Sequence, residues 1–149
     1  MSPQRARIAV LHGVNLNMLG RRDPVHYGTL TLPELEEQVA GFARELELEV
    51  AFFQTNSETA YIEHLHRIGG LADGLILNPG AWTHYAWSIR DALEIAALPA
   101  VEVHLSNVEA RERWRAESVI RELCVATIAG QGVDGYREAL IRLSKEIEG

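Results

Sequence analysis

Apolar runs punctuate the chain at Ile8–Leu11, Val50–Gln54, Leu75–Leu77, Ala100–Val103 and Cys124–Ile128. All are short and most are rich in Val, Ile and Leu, which predicts strands covered on both faces rather than buried helices. Between them the apolar positions recur at helical spacing. Leu35, Val39, Phe42 and Leu46 share one face, and Thr31 with Glu34 forms a capping-box pair ahead of them, with Pro33 in the first turn. Ser57 caps a second predicted helix that runs to Ile68 and ends at Gly69-Gly70. A third is predicted from Trp82 to Ala96, a short helix with an irregular tail over Val108 to about Glu122, and a closing helix from about Val133 to Ile147. Strands alternating with helices imply an α/β fold with right-handed crossovers. For this strand count the simplest arrangement is a flavodoxin-like three-layer sandwich, a five-stranded parallel sheet of order 2-1-3-4-5. The stretch from Asn15 to Leu30 is too long for an ordinary strand-to-helix turn; polar, glycine-flanked and Arg-bearing, it is expected to act as a lid.

Three of the runs end in polar, reactive clusters. Ile8–Leu11 leads into His12-Gly13-Val14-Asn15-Leu16-Asn17 and then Arg21-Arg22-Asp23-Pro24-Val25-His26-Tyr27-Gly28. Leu75–Leu77 leads into Asn78-Pro79-Gly80-Ala81-Trp82-Thr83-His84, and Ala100–Val103 leads through Glu102 into His104-Leu105-Ser106-Asn107. In an open parallel sheet the carboxyl ends of the strands lie along one edge, where ligands bind, so the clusters are expected to converge on one pocket.

Composition narrows the classes. A length of 149 residues with 47% hydrophobic content suits one globular domain spanning 1–149. The net charge of −7 argues against a nucleic-acid or anionic-membrane surface, while leaving room for a small anion held by local arginines. Cys124 is the lone cysteine and sits in an apolar run, so it is expected to pack as a small hydrophobe in a reducing compartment. Met1–Arg7 lacks a signal-peptide core and no stretch approaches the ~20 apolar residues that span a bilayer, so a cytoplasmic location is expected.

The candidate chemistry is acid–base. A tyrosine hydroxyl with its reference pKa of about 10 is a weak base at neutral pH. A guanidinium beside it favours the phenolate and does not itself lose a proton, which makes Arg22 with Tyr27 a candidate couple; the alternative is a solvated surface loop. Glu102 and His104 are two apart at a strand end and share a face, so the carboxylate can orient and charge the imidazole. A Glu inside a Val-rich strand needs such a partner. Asn78-Pro79-Gly80-Ala81 allows a tight turn before a helix start, and Leu105 and Ser106 offer backbone amides after the fourth strand; both suit a carboxylate or phosphate, or satisfy ordinary turn chemistry. Arg111 and Arg115 share a helix face if that segment is helical, and so can His84 and Asp91 on the third helix; solvated surface pairs are the default reading of both. Trp82, Trp87 and Trp114 read as packing or subunit contacts. A phosphate-loop signature, a dinucleotide fingerprint, a nucleophile-elbow serine and zinc-ligand spacing are all absent. A cofactor-free, metal-free acid–base enzyme remains.

Taken together and in order, Gly13-Val14-Asn15-Leu16-Asn17, Leu19-Gly20-Arg21-Arg22-Asp23-Pro24 with Tyr27-Gly28, Asn78-Pro79-Gly80-Ala81 with Thr83-His84, Arg90-Asp91-Ala92-Leu93, Val101 to Asn107, and Ala110-Arg111-Glu112 with Arg115 resemble the type II 3-dehydroquinate dehydratases, from Ile8 to about Leu143. The resemblance implies anti elimination of water from 3-dehydroquinate to give 3-dehydroshikimate, through an enolate, in the shikimate pathway of aromatic amino acid biosynthesis. It implies Tyr27 as base, Arg22 holding it as phenolate, Asn15 on the enolate oxygen, and His104, oriented by Glu102, as acid. It implies Asn78 with the amides of Leu105 and Ser106 on the substrate carboxylate, His84 and Arg115 on ring hydroxyls, Asp91 completing the pocket across a subunit contact, and Arg111 supporting the closed loop. It further implies trimers assembled into a dodecamer, with no metal or nucleotide cofactor.

The chain departs from that pattern at His12 and Val14, where the family usually has Asn and Pro, at Tyr85-Ala86 in place of Thr-Ser, and at Ala116-Glu117 in place of a more basic stretch. These changes leave each proposed catalytic group in place. They motivate one alternative, a catalytically silent or substrate-shifted paralog that binds a quinate-like cyclic hydroxy acid.

Overall fold

The computed structural model describes residues 4–149. Strands β1 (Arg7–His12), β2 (Glu49–Gln54), β3 (Gly74–Asn78), β4 (Ala100–His104) and β5 (Ala126–Ala129) form one parallel sheet of order β2-β1-β3-β4-β5. Helices α1 (Pro24–Tyr27), α2 (Leu32–Glu45), α3 (Glu58–Arg67), α4 (Trp87–Ala96) and α5 (Asp134–Glu148) complete the main frame. The expected flavodoxin-like order is therefore the observed one. Among the described residues, no helix is long and apolar enough to cross a membrane.

The period-2 alternation of the strands divides the core into two layers. Ile8 and Val10 of β1, Ile76 of β3 and Val101 and Val103 of β4 pack with Leu35 and Val39 of α2 and with Leu140 and Leu143 of α5. Ala9 and Leu11, Leu75 and Leu77, and Ala100 face the other way, against Tyr61 and Leu65 of α3 and Ile89 and Leu93 of α4. Helix α2 starts where its sequence predicts, with Thr31 Oγ1 accepting from the Glu34 amide and the Glu34 side chain accepting from the Thr31 amide.

The register fixes which strand ends meet. His12 lies beside Gln54 on one side and Asn78 on the other, Leu77 lies beside Glu102, and His104 beside Ala129. Gly13 lets the β1 and β3 exits touch: a Cβ there would stand 2.3 Å from the Pro79 carbonyl oxygen.

Four predicted segments differ in detail. The segment Val108–Glu122 is not one helix but carries three 3-10 turns, Val108–Ala110, Arg113–Ala116 and Arg121–Leu123. Its backbone pairs outward: the Val119 amide donates to the Thr83 carbonyl, and Arg90 Nη1 donates to the Val119 carbonyl. The helix expected from Trp82 splits into a 3-10 turn, Gly80–His84, and α4, with a break at Tyr85-Ala86, so His84 and Asp91 do not share a helix. The stretch Asn15–Leu30 holds a 3-10 turn, Leu16–Met18, and the single turn α1, capped by Asp23 with Pro24 at its first position. The last strand starts at Ala126 rather than Cys124, because the Cys124 amide closes the preceding turn on the Arg121 carbonyl.

Tyr61 joins α3 to β1. Its hydroxyl is fully buried and donates to the Leu11 carbonyl at 3.1 Å, and its ring meets Trp82 edge-on at 5.5 Å. Tyr61→Phe leaves the packing and removes this bond, so chemical denaturation is expected to show a loss of about 1 kcal/mol. No loss would mean that the Leu11 carbonyl is satisfied without it.

Candidate active site

A cavity of about 110 Å³ lies at the carboxyl edge of the sheet, where β1, β3 and β4 end. It is lined by Asn15 after β1, Arg22 and Tyr27 of the lid, Asn78 and His84 at the β3 exit, and His104, Leu105, Ser106, Arg111 and Arg115 from β4 onward. A larger cavity of about 650 Å³ lies along β2, lined by Arg7, Arg44, Phe52 and His64 among others. It gathers none of the strand-end clusters, which line the smaller one.

Glu102 is the most constrained charge there. It has no solvent exposure. Its Oε2 accepts from Thr83 Oγ1 at 2.5 Å and meets His104 Nε2 at 2.5 Å, while its Oε1 accepts from Ser118 Oγ at 2.7 Å. Burial pushes the carboxyl toward the neutral form; the His104 contact and the two hydroxyls outweigh it and hold Glu102 below the usual carboxylate range. The His104 ring is thereby fixed through Nε2, leaving Nδ1 as the nitrogen free to exchange a proton.

Tyr27 is flanked by two cations. The Arg22 guanidinium carbon stands 3.7 Å from the ring centroid, and Arg111 Nη1 donates to the phenol oxygen at 2.6 Å. Arg111 also reaches Ser106 Oγ at 3.3 Å. Sequence reasoning paired Tyr27 with Arg22 and gave Arg111 a supporting role; the direct hydrogen bond to the hydroxyl belongs to Arg111. Desolvation lowers the Arg22 pKa from its ordinary value, Tyr27 opposes that, and the neighbouring charges of Arg111 and Arg115 add to it. Like charges crowded into a half-buried space favour an anionic guest.

His84 Nδ1 donates to the Glu117 carbonyl at 2.6 Å, so Nε2 is left as an acceptor. Burial lowers its pKa, the Glu117 bond opposes this, and nearby His104 lowers it further. A neutral imidazole at that place suits a hydroxyl donor. Its ring is stacked 6.3 Å from His104 and meets Trp114 edge-on at 5.0 Å, with Arg115 over the Trp114 ring at 4.2 Å. Arg115 is also paired with Glu112. Asn15 is held in the left-handed region at φ 68°, its amide donating to Asn56 Oδ1 at 2.8 Å. Gln54 Nε2 ties the same Asn56 oxygen and the Gly13 carbonyl together.

The Dehydroquinase class II family model matches residues 6–144. The chain belongs to the class II dehydroquinase family. It is 49% identical over 140 residues to the 3-dehydroquinate dehydratase of Pelobacter propionicus, covering 93% of this chain and 94% of that protein. The 3-dehydroquinate dehydratase of Anoxybacillus flavithermus is 46% identical over 143 residues, 96% of this chain and 97% of that protein. The crystal structure of the type II dehydroquinase of Propionibacterium acnes superposes with a TM-score of 0.90 at 41% identity, covering 97% of this chain and 99% of that one.

Within this class II dehydroquinase, one cavity collects every residue singled out from sequence except Glu102, which stands behind His104, and Asp91. Asp91 is exposed on α4 and does not line the cavity within one chain. Arg111 reaches the cavity from the extended position just after one 3-10 turn and Arg115 from within the next, rather than from one helix face. Sequence reasoning missed Thr83 and Ser118 on Glu102, Asn56 and Gln54 behind Asn15, and Tyr136, whose hydroxyl accepts from Asn78 Nδ2 at 3.3 Å. The one available signal was Thr83, which follows the Asn78 turn at the distance of a 3-10 turn.

Glu102 also sets a pH dependence of stability. A carboxyl lowered in the folded state contributes stability that is present above its unfolded pKa of about 4.3 and is lost as pH falls through the lower folded value. Urea unfolding from pH 6 to pH 3 is expected to show a steeper acid-side loss for the native chain than for Glu102→Gln. Parallel curves would contradict the assignment.

Proposed function

We propose that this chain dehydrates 3-dehydroquinate to 3-dehydroshikimate in the shikimate pathway, by anti elimination through an enolate, with Tyr27 as base and His104 as acid. The phenolate of Tyr27 removes a proton from the carbon beside the ketone. Arg22 over its ring and Arg111 on its oxygen stabilise the negative charge, first on the phenolate and then along the reaction. Asn15 binds the enolate oxygen, through a water. The enolate then expels the hydroxyl, and His104 gives that oxygen a proton so that water leaves. Tyr27 ends protonated and His104 ends short of a proton, so a proton passes from one to the other before the next turnover. Glu102 holds the acid oriented.

Binding follows the polarity of the wall. Asn78 and the amides of Leu105 and Ser106 take the carboxylate, and His84 and Arg115 take ring hydroxyls. Asp91 enters from a neighbouring subunit. Tyr85 just before α4 and Trp87 and Ile95 on it are exposed large side chains, which supports a subunit contact near this helix and an assembly of trimers into a dodecamer. The reaction needs no cofactor or metal, the chain works as a single catalytic domain, and its location is cytoplasmic.

The observation that carries this reading is the meeting of two opposite couples, a phenol with guanidiniums and an imidazole with a carboxylate, at one small cavity. A silent paralog has no use for both. The purified protein is expected to convert 3-dehydroquinate to an enone absorbing in the near ultraviolet. A positioned base or acid supplies about 10²–10⁴-fold, so Tyr27→Phe and His104→Ala are each expected to lose at least ~10²-fold in kcat with unchanged circular dichroism. Full activity in Tyr27→Phe would remove the base assignment.

A further inference from the structure

We propose that Asn56 and Gln54, at the exit of β2, are positioning residues for the enolate donor: they hold the Asn15 backbone in a left-handed conformation that leaves its side-chain amide to the cavity. The proposal rests on the reading of Asn15 as the group that binds the enolate oxygen.

The exits of β1, β3 and β4 supply the cavity wall, and the exit of β2 supplies none of it. The last residue of β2, Gln54, lies beside His12 in register. Gln54 Nε2 donates to the Gly13 carbonyl at 3.1 Å and to Asn56 Oδ1 at 3.2 Å. The same Asn56 oxygen accepts from the Asn15 amide at 2.8 Å. Both groups that face it are donors, so the atom placed there is the oxygen and not the amide nitrogen. Two side chains from the β2 exit therefore grip the backbone on either side of Val14.

Asn15 is the residue they hold. It sits at φ 68° and ψ 3°, a region that Asn tolerates better than most residues but still visits rarely. A backbone held in such a place points to a use for it. Asn15 also precedes the 3-10 turn Leu16–Met18 as its N-cap, yet its side chain makes no capping bond. An Asn there ordinarily gives its side-chain oxygen to the free amides of the turn. Here that group is left over, and Asn15 lines the cavity. The turn fixes only the downstream side of residue 15, through the Met18 amide donating to the Asn15 carbonyl at 3.0 Å. The upstream side, the peptide plane between Val14 and Asn15, is fixed by the bond to Asn56. Without that bond Asn15 relaxes toward negative φ, and rotation about its N–Cα bond carries the side chain out of place. Charge on the enolate oxygen develops only along the reaction, so a misplaced Asn15 costs rate rather than substrate affinity.

The test is steady-state kinetics with 3-dehydroquinate. Asn56→Ala is expected to lower kcat roughly tenfold, part of the about 10²–10³-fold that one oxyanion donor supplies, with KM within about twofold. Asn56→Asp keeps an oxygen acceptor for both donors and is expected to restore kcat to within about threefold of the native value. In an Asn15→Gly background, Asn56→Ala is expected to lower kcat no further, because the positioned amide is gone and glycine adopts positive φ unaided. A merely structural role would lower the melting temperature and leave kcat alone, or would cost the same factor in both backgrounds. Unchanged kcat in a folded Asn56→Ala, an equal loss in Asn56→Asp, or a loss that persists on Asn15→Gly overturns the proposal. Unfolding of Asn56→Ala overturns it too, since the bond is then structural. Failure of the unsubstituted protein to turn over 3-dehydroquinate is a separate result, seen before any variant is made: it overturns the proposed function, and this proposal with it.

Discussion

The chemistry of the site depends on a carboxylate that water does not reach. An ion the size of Glu102's carboxylate, moved out of water alone, is strongly destabilised. It persists because His104, Thr83 and Ser118 supply donors to both oxygens. Those donors come from three places: the end of β4 itself, the 3-10 turn after β3, and the irregular segment after β4. Satisfying Glu102 therefore ties the two exits of the sheet together. The Val119 amide bonded to the Thr83 carbonyl repeats the tie in the backbone. The segment that carries Arg111 and Arg115 is held against the sheet by the same contacts that orient His104.

The second constraint is charge of the opposite sign. The chain carries a net −7, yet three guanidiniums line one small cavity. Their mutual repulsion is felt by Arg22. Glu112 offsets Arg115, and the Tyr27 ring is held by Arg22 and Arg111 together. The excess is local, so it selects for a small anion rather than for an extended polyanion. It also explains why the Asn15–Leu30 segment meets the cavity through a tyrosine: a ring face and a hydroxyl accept two cations at once without neutralising either.

The fold was legible in the sequence because each strand is a short apolar run and each helix keeps its stripe. Strand order followed from strand count and crossover handedness. Helix α2 could be read to its first turn because capping is a local interaction. The residues between Val108 and Glu122 could not, since Val108, Val119 and Ile120 are buried by contacts to distant residues and their spacing carries no period. The same limit applies to the site. Asn78, Glu102 and His104 announce themselves at strand ends, whereas Ser118 and Tyr136 lie far along the chain and reach the site only through tertiary packing. The preference of Tyr27 for Arg111 over Arg22 as hydrogen-bond donor was equally invisible, because it spans 84 positions.

The pleat of the sheet gives these polar pairs a shared logic. Glu102 and His104 point to the α3/α4 side of the sheet, where Ala100 also packs, while His12 and Asn78 point to the α2/α5 side with Val10 and Ile76. The cavity sits across the edge and draws on both. Each face thus buries one carboxylate–imidazole contact behind a group that lines the cavity, Glu102 behind His104 and Glu36–His12 behind Asn78. On the first face the imidazole itself meets the cavity, so the pair can move a proton. On the second the pair lines no part of the cavity. A parallel sheet with hydrophobic layers on both faces leaves its carboxyl edge as the place where polar groups from both sides can meet, and the register of β1, β3 and β4 sets which ones do.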